Sequence, residues 1–440
     1  MDGSGLLGEA LARVRAAATV EVEGFVTEVV GCLARATVPN ARVGDLCEIG
    51  CGESRLSAEI VGFRGEEALL MPLGDLAGVG PDSMVRRCGA PLDVAVGDDL
   101  LGRVVNGLGT PIDGGPPVGG ACGTRWSVDR APPDPLSRRR VSKPFETGIR
   151  AIDALCTLGE GQRMGLFAGA GVGKSTLLGQ IARFASSDVN VVALVGERGR
   201  EVREFVEEAL GDEGLRRSVV VVATSDEPPL VRLRSAFVAT AIAEYFRDAG
   251  KRVLFMLDSV TRLARAQREV GLAAGEPPAR QGYPPSVFSM LPRLLERTGN
   301  SEAGSITAIY TVLVAGGDME EPIADEVRGI LDGHIVLSRA LAERNHWPAI
   351  DVLQSLSRVM TSVASAEHLA SAGRVRALLA AYEKHRDLIV LGAYARGTDR
   401  KTDEAIERIH EIESFLTQPL DRPAAFDVTL TELARGIGEA

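Results

Sequence analysis

The chain has 440 residues, which at roughly 150 residues per domain is enough for about three domains. Apolar residues make up 45% and charged residues 25%, a mix typical of folded proteins that excludes a mainly disordered or fibrous chain. The net charge of −11 argues against general binding to the phosphate backbone of nucleic acids, so no nucleic acid partner is expected. The six cysteines form no metal-ligand pattern and are expected to be reduced apolar side chains.

The first part of the chain divides into a helical stretch and a β-rich region. Apolar residues at helical spacing predict an amphipathic helix over residues 1–18, either a docking helix or one folded onto its own domain. Short apolar runs broken by turn residues predict a small β-barrel or sandwich over residues 19–88. Its predicted strands are 20–30, 34–38, 46–49, 58–63 and 68–72.

Three further zones follow. Residues 89–148 are rich in Gly and Pro turns and are predicted to be an extended linker leading into the core. Over residues 149–360, strand and helix patterns alternate, which predicts a doubly wound α/β domain with a parallel sheet. Residues 361–440 are predicted to form a helical domain, with helices at 374–385 and 403–415. The predicted core strands are 163–167, 189–195, 218–223, 252–257, 305–314 and 334–337.

The strongest motif lies between the first core strand and a helix, where residues 168–176 have the pattern of a phosphate-binding loop. The Lys174 ammonium can reach the β- and γ-phosphate oxygens, and the Ser175 hydroxyl can ligate Mg²⁺. Such loops usually open with glycine, so Ala168 requires either a negative φ or room for its methyl group. The predicted nucleotide-binding residues are Gly169, Ala170, Gly171, Val172, Gly173, Lys174, Ser175 and Thr176.

Two carboxylates follow core strands, at the edge where parallel sheets bind ligands. Asp258 ends a buried apolar strand and is the candidate partner of the Mg²⁺ water shell. Glu197 is the candidate to polarise the attacking water, and the adjacent Arg198 is a candidate ligand of the γ-phosphate. The spacing alone leaves the alternative that these two residues are ordinary exposed charges in the first turn of a helix.

These motifs, together with residues 257–262 and 355–358, occur in the order seen in rotary ATPase catalytic subunits, which the chain resembles from about residue 19 to residue 426. Residues 275–279, 282–287 and 331–339 resemble the ATPases of type III protein export, in which Ala at position 168 is common. The resemblance implies a small β-barrel domain, a RecA-like phosphate-loop core with a parallel sheet, and a helical C-terminal domain.

The resemblance also implies a Mg-dependent ATPase that assembles into a homohexamer, with ATP and Mg²⁺ bound between subunits. Arg358 of one chain would then reach the γ-phosphate held by its neighbour. Trp347, Leu420 and Phe426 match positions of the adenine pocket in relatives. Leucine can pack but cannot stack on a base, so Trp347 and Phe426 are expected to dominate that pocket.

Several functions share this core. A rotary ATP synthase catalytic subunit is disfavoured because its acidic loop is replaced by the mixed charges of residues 395–401. A non-catalytic ring subunit is disfavoured by Glu197, and a ring helicase by the acidic net charge and the lack of an aromatic and basic platform. Residues 386–399 look more like those of flagellar members, which favours flagellar protein export over virulence-type (injectisome) secretion.

The resemblance implies several partners: a stator-like regulator, a coiled-coil stalk protein, membrane proteins of the export gate, and export chaperones with their substrates. No signal peptide or long uncharged apolar segment is evident in the sequence. We therefore expect a cytoplasmic protein. The resemblance implies that it associates peripherally with the inner face of the cytoplasmic membrane at the export apparatus.

Overall fold

The computed structural model describes residues 23–52, 54–119 and 123–438, so the helix predicted at 1–18 lies outside the described residues. The chain forms two compact units. The first contains the described residues up to Leu92 together with Ala273–Gly275, and the second contains Asp93–Leu272 and the residues from Glu276 onward. Within the described ranges, no helix combines the length and the apolar character that crossing a membrane requires.

Six antiparallel strands of the first unit close into a barrel in the order β1-β2-β5-β4-β3-β6, which confirms the predicted barrel over the alternative sandwich. Alternating side chains of these strands fill its interior, where Ile49, Ile60 and Leu70 are fully buried. The sixth strand was not predicted, because only one of its four side chains is buried. The strands are β1 Glu23–Val30, β2 Leu33–Thr37, β3 Leu46–Cys51, β4 Ser54–Arg64, β5 Glu67–Pro72 and β6 Met84–Arg87.

The region predicted as a linker contains regular structure that belongs to the second unit. Strand β7 pairs antiparallel with β9, and β8 pairs in parallel with the core strand Ser218–Thr224. These strands have two to four residues each, too few for a periodic pattern to stand out among the Gly and Pro turns. They are β7 Asp93–Val96, β8 Val104–Asn106, β9 Thr124–Ser127 and β10 Pro144–Phe145.

The core of the second unit is a nine-stranded sheet in the order β19-β18-β12-β17-β15-β13-β14-β8, with β16 added beside β17. Neighbouring strands are parallel except at β16 and at the edge strand β19, which was not predicted. All six predicted core strands are present. The remaining strands are β11 Leu158–Gly159, β12 Arg163–Ala168, β13 Val189–Glu197, β14 Ser218–Thr224, β15 Arg252–Asp258, β16 Gly299–Asn300, β17 Ser305–Leu313, β18 Gly333–Leu337 and β19 Ile350–Ser357.

Helices connect the core strands and then continue as the helical C-terminal region. The core helices are α1 Arg150–Leu155, α2 Lys174–Phe184, α3 Gly199–Glu204, α4 Gly211–Arg216, α5 Pro229–Asp248, α6 Val260–Ala273, α7 Pro285–Leu295, α8 Pro322–Ile330 and α9 Arg339–Glu343. The C-terminal helices are α10 Met360–Val363, α11 Ala366–Val390, α12 Arg400–Leu416 and α13 Phe426–Glu432. The helices predicted at 374–385 and 403–415 are both present, within α11 and α12.

Helices α11 and α12 form a hairpin that shares its apolar core with the sheet domain. Ser365 accepts a hydrogen bond from the N–H of His368 and so caps α11, and Asp399 caps α12 in the same way. Val375 of α11 and Ile412 of α12 are fully buried in the cluster that also contains the interior of the sheet. The hairpin is therefore anchored to the sheet domain by burial of apolar side chains.

A buried ion pair lies within the sheet domain, and its arginine also binds the chain that precedes this domain. The Arg297 guanidinium donates two hydrogen bonds of 2.9 and 2.8 Å to the Glu244 carboxylate, and both side chains are only 1% exposed. Arg297 also donates to the carbonyl of Val128 at 2.7 Å. All of these donors and acceptors are paired, which is the condition under which a buried charge pair is tolerated.

Replacing Glu244 by Gln is expected to destabilise the sheet domain by about 3 to 5 kcal/mol, because it leaves the buried Arg297 charge without a counter-ion. Differential scanning calorimetry should show a lower melting temperature for the core transition. The matched control is Glu207→Gln, which removes a carboxylate from the exposed Arg203–Glu207 pair and should cost no more than about 0.5 kcal/mol. Equal melting temperatures for the two variants would contradict this role of the buried pair.

Candidate functional site

The loop between β12 and α2 has the geometry of a phosphate cradle. Gly171 and Gly173 have φ values of 77° and 81°, a left-handed conformation that glycine adopts without steric cost. A Cβ atom on Gly173 would also lie 2.7 Å from the Trp347 ring. Ala168 ends β12 in extended conformation and is fully buried, so the alanine at the usual glycine position causes no strain.

Lys174 begins helix α2 and faces two carboxylates at the carboxyl edge of the sheet. Its ammonium donates a hydrogen bond to Asp258, at the end of β15, and lies 3.6 Å from Glu197 Oε1, at the end of β13. Both carboxylates are buried, with exposed fractions of 2% for Asp258 and 6% for Glu197. The structure therefore brings these three predicted residues into one cluster.

Glu197 is held in an environment that disfavours its charge. The ladder between β13 and β14 is irregular between Val195 and Glu197, where Gly196 has a φ of 69°. Burial, a hydrogen bond shared with Glu201 and the nearby Asp258 raise the pKa of Glu197 to about 7. A carboxyl group with a pKa near neutrality suits proton transfer under ordinary conditions.

The structure adds two residues to the site that the sequence analysis did not identify. Arg262 lies 3.0 Å from the Glu197 carboxylate and also donates to the carbonyl of Gly196. Thr311, on β17 between β12 and β15, donates a 2.7 Å hydrogen bond to Asp258 Oδ1. Two features of the sequence could have indicated these residues. Arg262 follows Asp258 by four residues, about one helical turn, and Thr311 places a hydroxyl within the mainly apolar β17.

Three further predicted residues lie outside the cluster of Lys174, Glu197 and Asp258. Ser175 and Thr176 are exposed in the first turn of α2. Arg198 points to solvent, with its side chain 74% exposed and paired with Glu201 at 3.8 Å. In this structure Arg198 therefore does not join the cluster of Lys174 and its two carboxylates.

Two buried atoms of the cluster make no hydrogen bond within the described chain: Glu197 Oε1, an acceptor, and Arg262 Nε, a donor. Unpaired buried polar atoms are costly unless a ligand or water completes them. Together with the glycine cradle and the lysine, they fit a phosphate group and an attacking water. Ser175 and Asp258 supply the hydroxyl and carboxylate oxygens that Mg²⁺ prefers.

Arg358 lies at the opposite end of the parallel strands, where they begin. It follows β19, whose last residue Ser357 pairs with Gly333 at the start of β18, whereas Ala168 pairs with Leu337 at the end of β18. Four residues of β18, roughly 13 Å at about 3.3 Å per residue, separate these two rows. The exposed Arg358 side chain is thus remote from the phosphate cradle of its own chain.

A cavity of about 790 Å³ adjoins the phosphate loop. The predicted pocket residues Trp347 and Leu420 both line it, and the Trp347 indole donates a 2.9 Å hydrogen bond to Asn345. An apolar slot beside a phosphate cradle has the size and character of a binding site for a planar base. The cavity is lined by Gly171, Val172, Gly173, Thr176, Leu177, Gln180, Leu337, Asn345, Trp347, Pro348, Ala349, Ser414, Thr417, Gln418, Pro419 and Leu420.

Phe426 is not among the lining residues, so its place in a base pocket stays a prediction. Its ring packs edge-to-face against His368 of α11, at 6.4 Å between centroids. A few residues earlier, the Gln418 side chain and the N–H of Ala424 both donate to the carbonyl of Gly148. Of the two predicted aromatic residues, Trp347 is the one that lines the cavity.

Comparison with protein families matches three parts of the chain. Residues 26–89 match the beta-barrel domain of the ATP synthase alpha/beta family, and residues 148–357 match its nucleotide-binding domain. Residues 364–435 match the T3SS EscN ATPase C-terminal domain. The three matches follow the order of the barrel, the sheet domain and the helical region.

Curated relatives align over almost the whole chain. The flagellum-specific ATP synthase of Bacillus subtilis (strain 168) is 53% identical over 413 residues, covering 93% of this chain and 94% of the relative. The type 3 secretion system ATPase of Xanthomonas euvesicatoria is 54% identical over 409 residues, covering 92% of each.

Solved structures agree with this relationship. The assembled ATPase EscN of the enteropathogenic E. coli type III secretion system has a TM-score of 0.89 and 47% identity, covering 94% of this chain and 100% of EscN. EscN in complex with its central stalk EscO has a TM-score of 0.87 and 46% identity, with the same coverage. Identity near 50% over nine-tenths of the sequence, with the same fold, shows that this chain belongs to the type III secretion ATPases of the ATP synthase alpha/beta family.

Proposed function

We propose that this chain hydrolyses Mg·ATP in a homohexameric ring to energise flagellar protein export. The observation that carries the proposal is the placement of the charged side chains. Lys174, Glu197 and Asp258 meet at one edge of the sheet, whereas Arg358 lies at the other. A neighbouring copy can supply the cation that each site lacks.

ATP binding begins at the phosphate cradle. Backbone N–H groups of the glycine loop and the Lys174 ammonium bind the phosphates, and the base enters the cavity beside Trp347. Lys174 now pairs with Asp258 and Glu197, so phosphate oxygens take over part of its hydrogen bonding. The Ser175 hydroxyl and the Asp258 carboxylate would hold Mg²⁺, which would supply positive charge to neutralise the phosphates.

Hydrolysis then depends on Glu197. Its Oε1 atom is buried and makes no hydrogen bond within the described chain, so it is available to accept one from the attacking water. The pKa of Glu197, raised to about 7 by burial, matches a group that accepts and returns a proton near neutral pH. Arg262 holds the other carboxylate oxygen at 3.0 Å and so orients the side chain.

Transition-state charge on the γ-phosphate requires a further cation. Arg198 of the same chain is solvent-exposed and has room to turn toward the phosphate. Arg358 from the adjacent subunit acts as an arginine finger supplied in trans. The ring is therefore the active form, and an isolated subunit binds ATP but turns it over poorly.

Glu197→Gln is expected to retain ATP binding and to lower kcat by about 10²- to 10⁴-fold, because the amide cannot accept the proton of the attacking water. Nucleotide affinity is measured by titration and turnover by phosphate release from assembled rings. The control Glu204→Gln alters the exposed Arg200–Glu204 pair on α3, the helix that follows Glu197, and should leave kcat unchanged. A Glu197→Gln ring that hydrolyses ATP at the wild-type rate would refute the assigned role.

Lys174→Ala and Arg358→Ala should separate binding from ring-dependent chemistry. Lys174→Ala is expected to weaken ATP binding about tenfold or more in the isolated subunit, because it removes a charged contact to phosphate. Arg358→Ala should leave that affinity unchanged and lower kcat of the ring by about 10³-fold. Weaker binding by isolated Arg358→Ala subunits would instead place Arg358 in its own chain's site.

The flagellar assignment has support in the C-terminal region. Residues 386–399 resemble those of flagellar members, and relatives of both kinds lie near 50% identity. We propose that the chain acts on the cytoplasmic side of the membrane, bound peripherally at the export apparatus. A stator-like regulator, export-gate membrane proteins and export chaperones with their substrates are the proposed partners. A coiled-coil stalk protein is a further one, and the EscN–EscO complex provides its precedent.

The proposal is tested in the source bacterium by disrupting the gene and complementing it with wild type or with Glu197→Gln. The expected result is loss of swimming and of secreted hook and filament protein, restored by wild type alone. Normal swimming combined with loss of other secreted effectors would move the protein to a virulence-type system. Full restoration by Glu197→Gln would show that hydrolysis is not needed for export.

A further inference from the structure

The edge strand β19 is interrupted by a wide bulge. Asp351 pairs with Val336 and Leu356 pairs with His334, so the four residues 352–355 face a single residue of β18. Only the last two residues of β19 pair with β18 beyond this bulge. Beyond the bulge, the N–H of Arg358 donates to the carbonyl of Asp332 at 2.9 Å and the Ser357 hydroxyl donates to the carbonyl of Thr157 at 2.8 Å. The strand end that carries Arg358 is thus held by these bonds and, through the strand itself, by whatever holds the bulge.

Arg376 of helix α11 supplies that support. Its guanidinium donates hydrogen bonds to the carbonyls of Val352 and Ser355, both within the bulge. It also donates at 2.7 Å to the carbonyl of Leu155 at the end of α1, and it lies 3.3 Å from Cys156 Sγ. Main-chain carbonyls outside a ladder need such donors, and the planar guanidinium binds several of them at fixed angles.

Hydrogen bonds of the strand itself also stabilise the bulge. Asp351 Oδ1 accepts hydrogen bonds from the N–H groups of Leu353 and Gln354, at 3.0 and 3.1 Å. The Ser355 hydroxyl accepts one from the N–H of Val336 at 3.0 Å. These bonds set the local shape of the bulge, whereas Arg376 ties the bulge to two helices, α1 and α11.

We propose that Arg376 is a positioning residue that holds the end of β19 so that Arg358 reaches the site of the neighbouring subunit. This inference rests on the proposed role of Arg358 as a finger in trans. Arg376 touches neither nucleotide-binding residues nor Arg358; its contacts are to the strand from which Arg358 projects. Because Arg376 belongs to α11, a shift of the helical hairpin moves the finger.

The test is a double-mutant cycle of wild type, Arg376→Ala, Arg358→Ala and the double variant, measured as kcat and KM of assembled rings with radiolabelled ATP. Arg376→Ala is expected to lower kcat by about 10- to 100-fold, the effect of misplacing a catalytic group by about 1 Å, with KM nearly unchanged. In the Arg358→Ala background the same change should alter kcat less than about twofold.

Two further variants control for folding and assembly. Arg376→Lys keeps the charge but offers one ammonium in place of the guanidinium fork, so it should restore kcat only in part. Arg374→Ala removes a guanidinium two residues away that pairs with Glu404 of α12 at 2.7 Å, and it should retain wild-type kcat. Sedimentation velocity with a non-hydrolysable ATP analogue follows ring assembly for each variant.

The outcomes distinguish this inference from the function on which it rests. An equal loss of kcat from Arg376→Ala in both backgrounds, or a loss that follows a failure to assemble, would overturn the positioning role. Wild-type kcat in Arg376→Ala alone would overturn it as well, while leaving Arg358 as the finger. Wild-type kcat in Arg358→Ala would remove the finger itself, and the role of Arg376 with it.

Discussion

The site is organised around one cation, whose side chain is only 12% exposed. The Lys174 ammonium lies between the Asp258 and Glu197 carboxylates, which end two different strands. A buried charge is tolerated only where counter-charges and hydrogen bonds surround it, so this contact requires β13 and β15 to end at the same level as the start of α2. The parallel sheet meets that requirement, and Thr311 and Arg262 then fix the orientation of the two carboxylates.

The sheet also keeps Arg358 apart from the lysine and the two acids of its own chain. Its carboxyl edge carries the lysine and the acids, and its amino edge carries Arg358. Because strands are stiff, the two groups of one chain cannot approach each other without dismantling the sheet. In the proposed mechanism each end of the sheet therefore carries part of a phosphoryl-transfer site, and a second copy supplies the other part.

The sequence predicted well those features that depend on neighbouring residues. The phosphate loop, the core strands and the two long helices each have a recognisable local pattern. Lys174, Glu197 and Asp258 could be identified because each lies at or soon after the end of a predicted strand. The packing of Phe426 on His368 could not be predicted, because it joins two helices that are far apart in the sequence. Strand β19 was missed because its bulge breaks the alternation of buried and exposed residues.

The walls of the cavity beside the phosphate loop come from three regions far apart in the sequence. They are the phosphate loop with α2, residues within 337–349, and residues 414–420, at and after the end of α12. A ligand that fills the space between them favours one separation of these walls over all others. By thermodynamic reciprocity, any partner that displaces the hairpin must change nucleotide affinity by the same factor by which nucleotide changes the affinity for that partner.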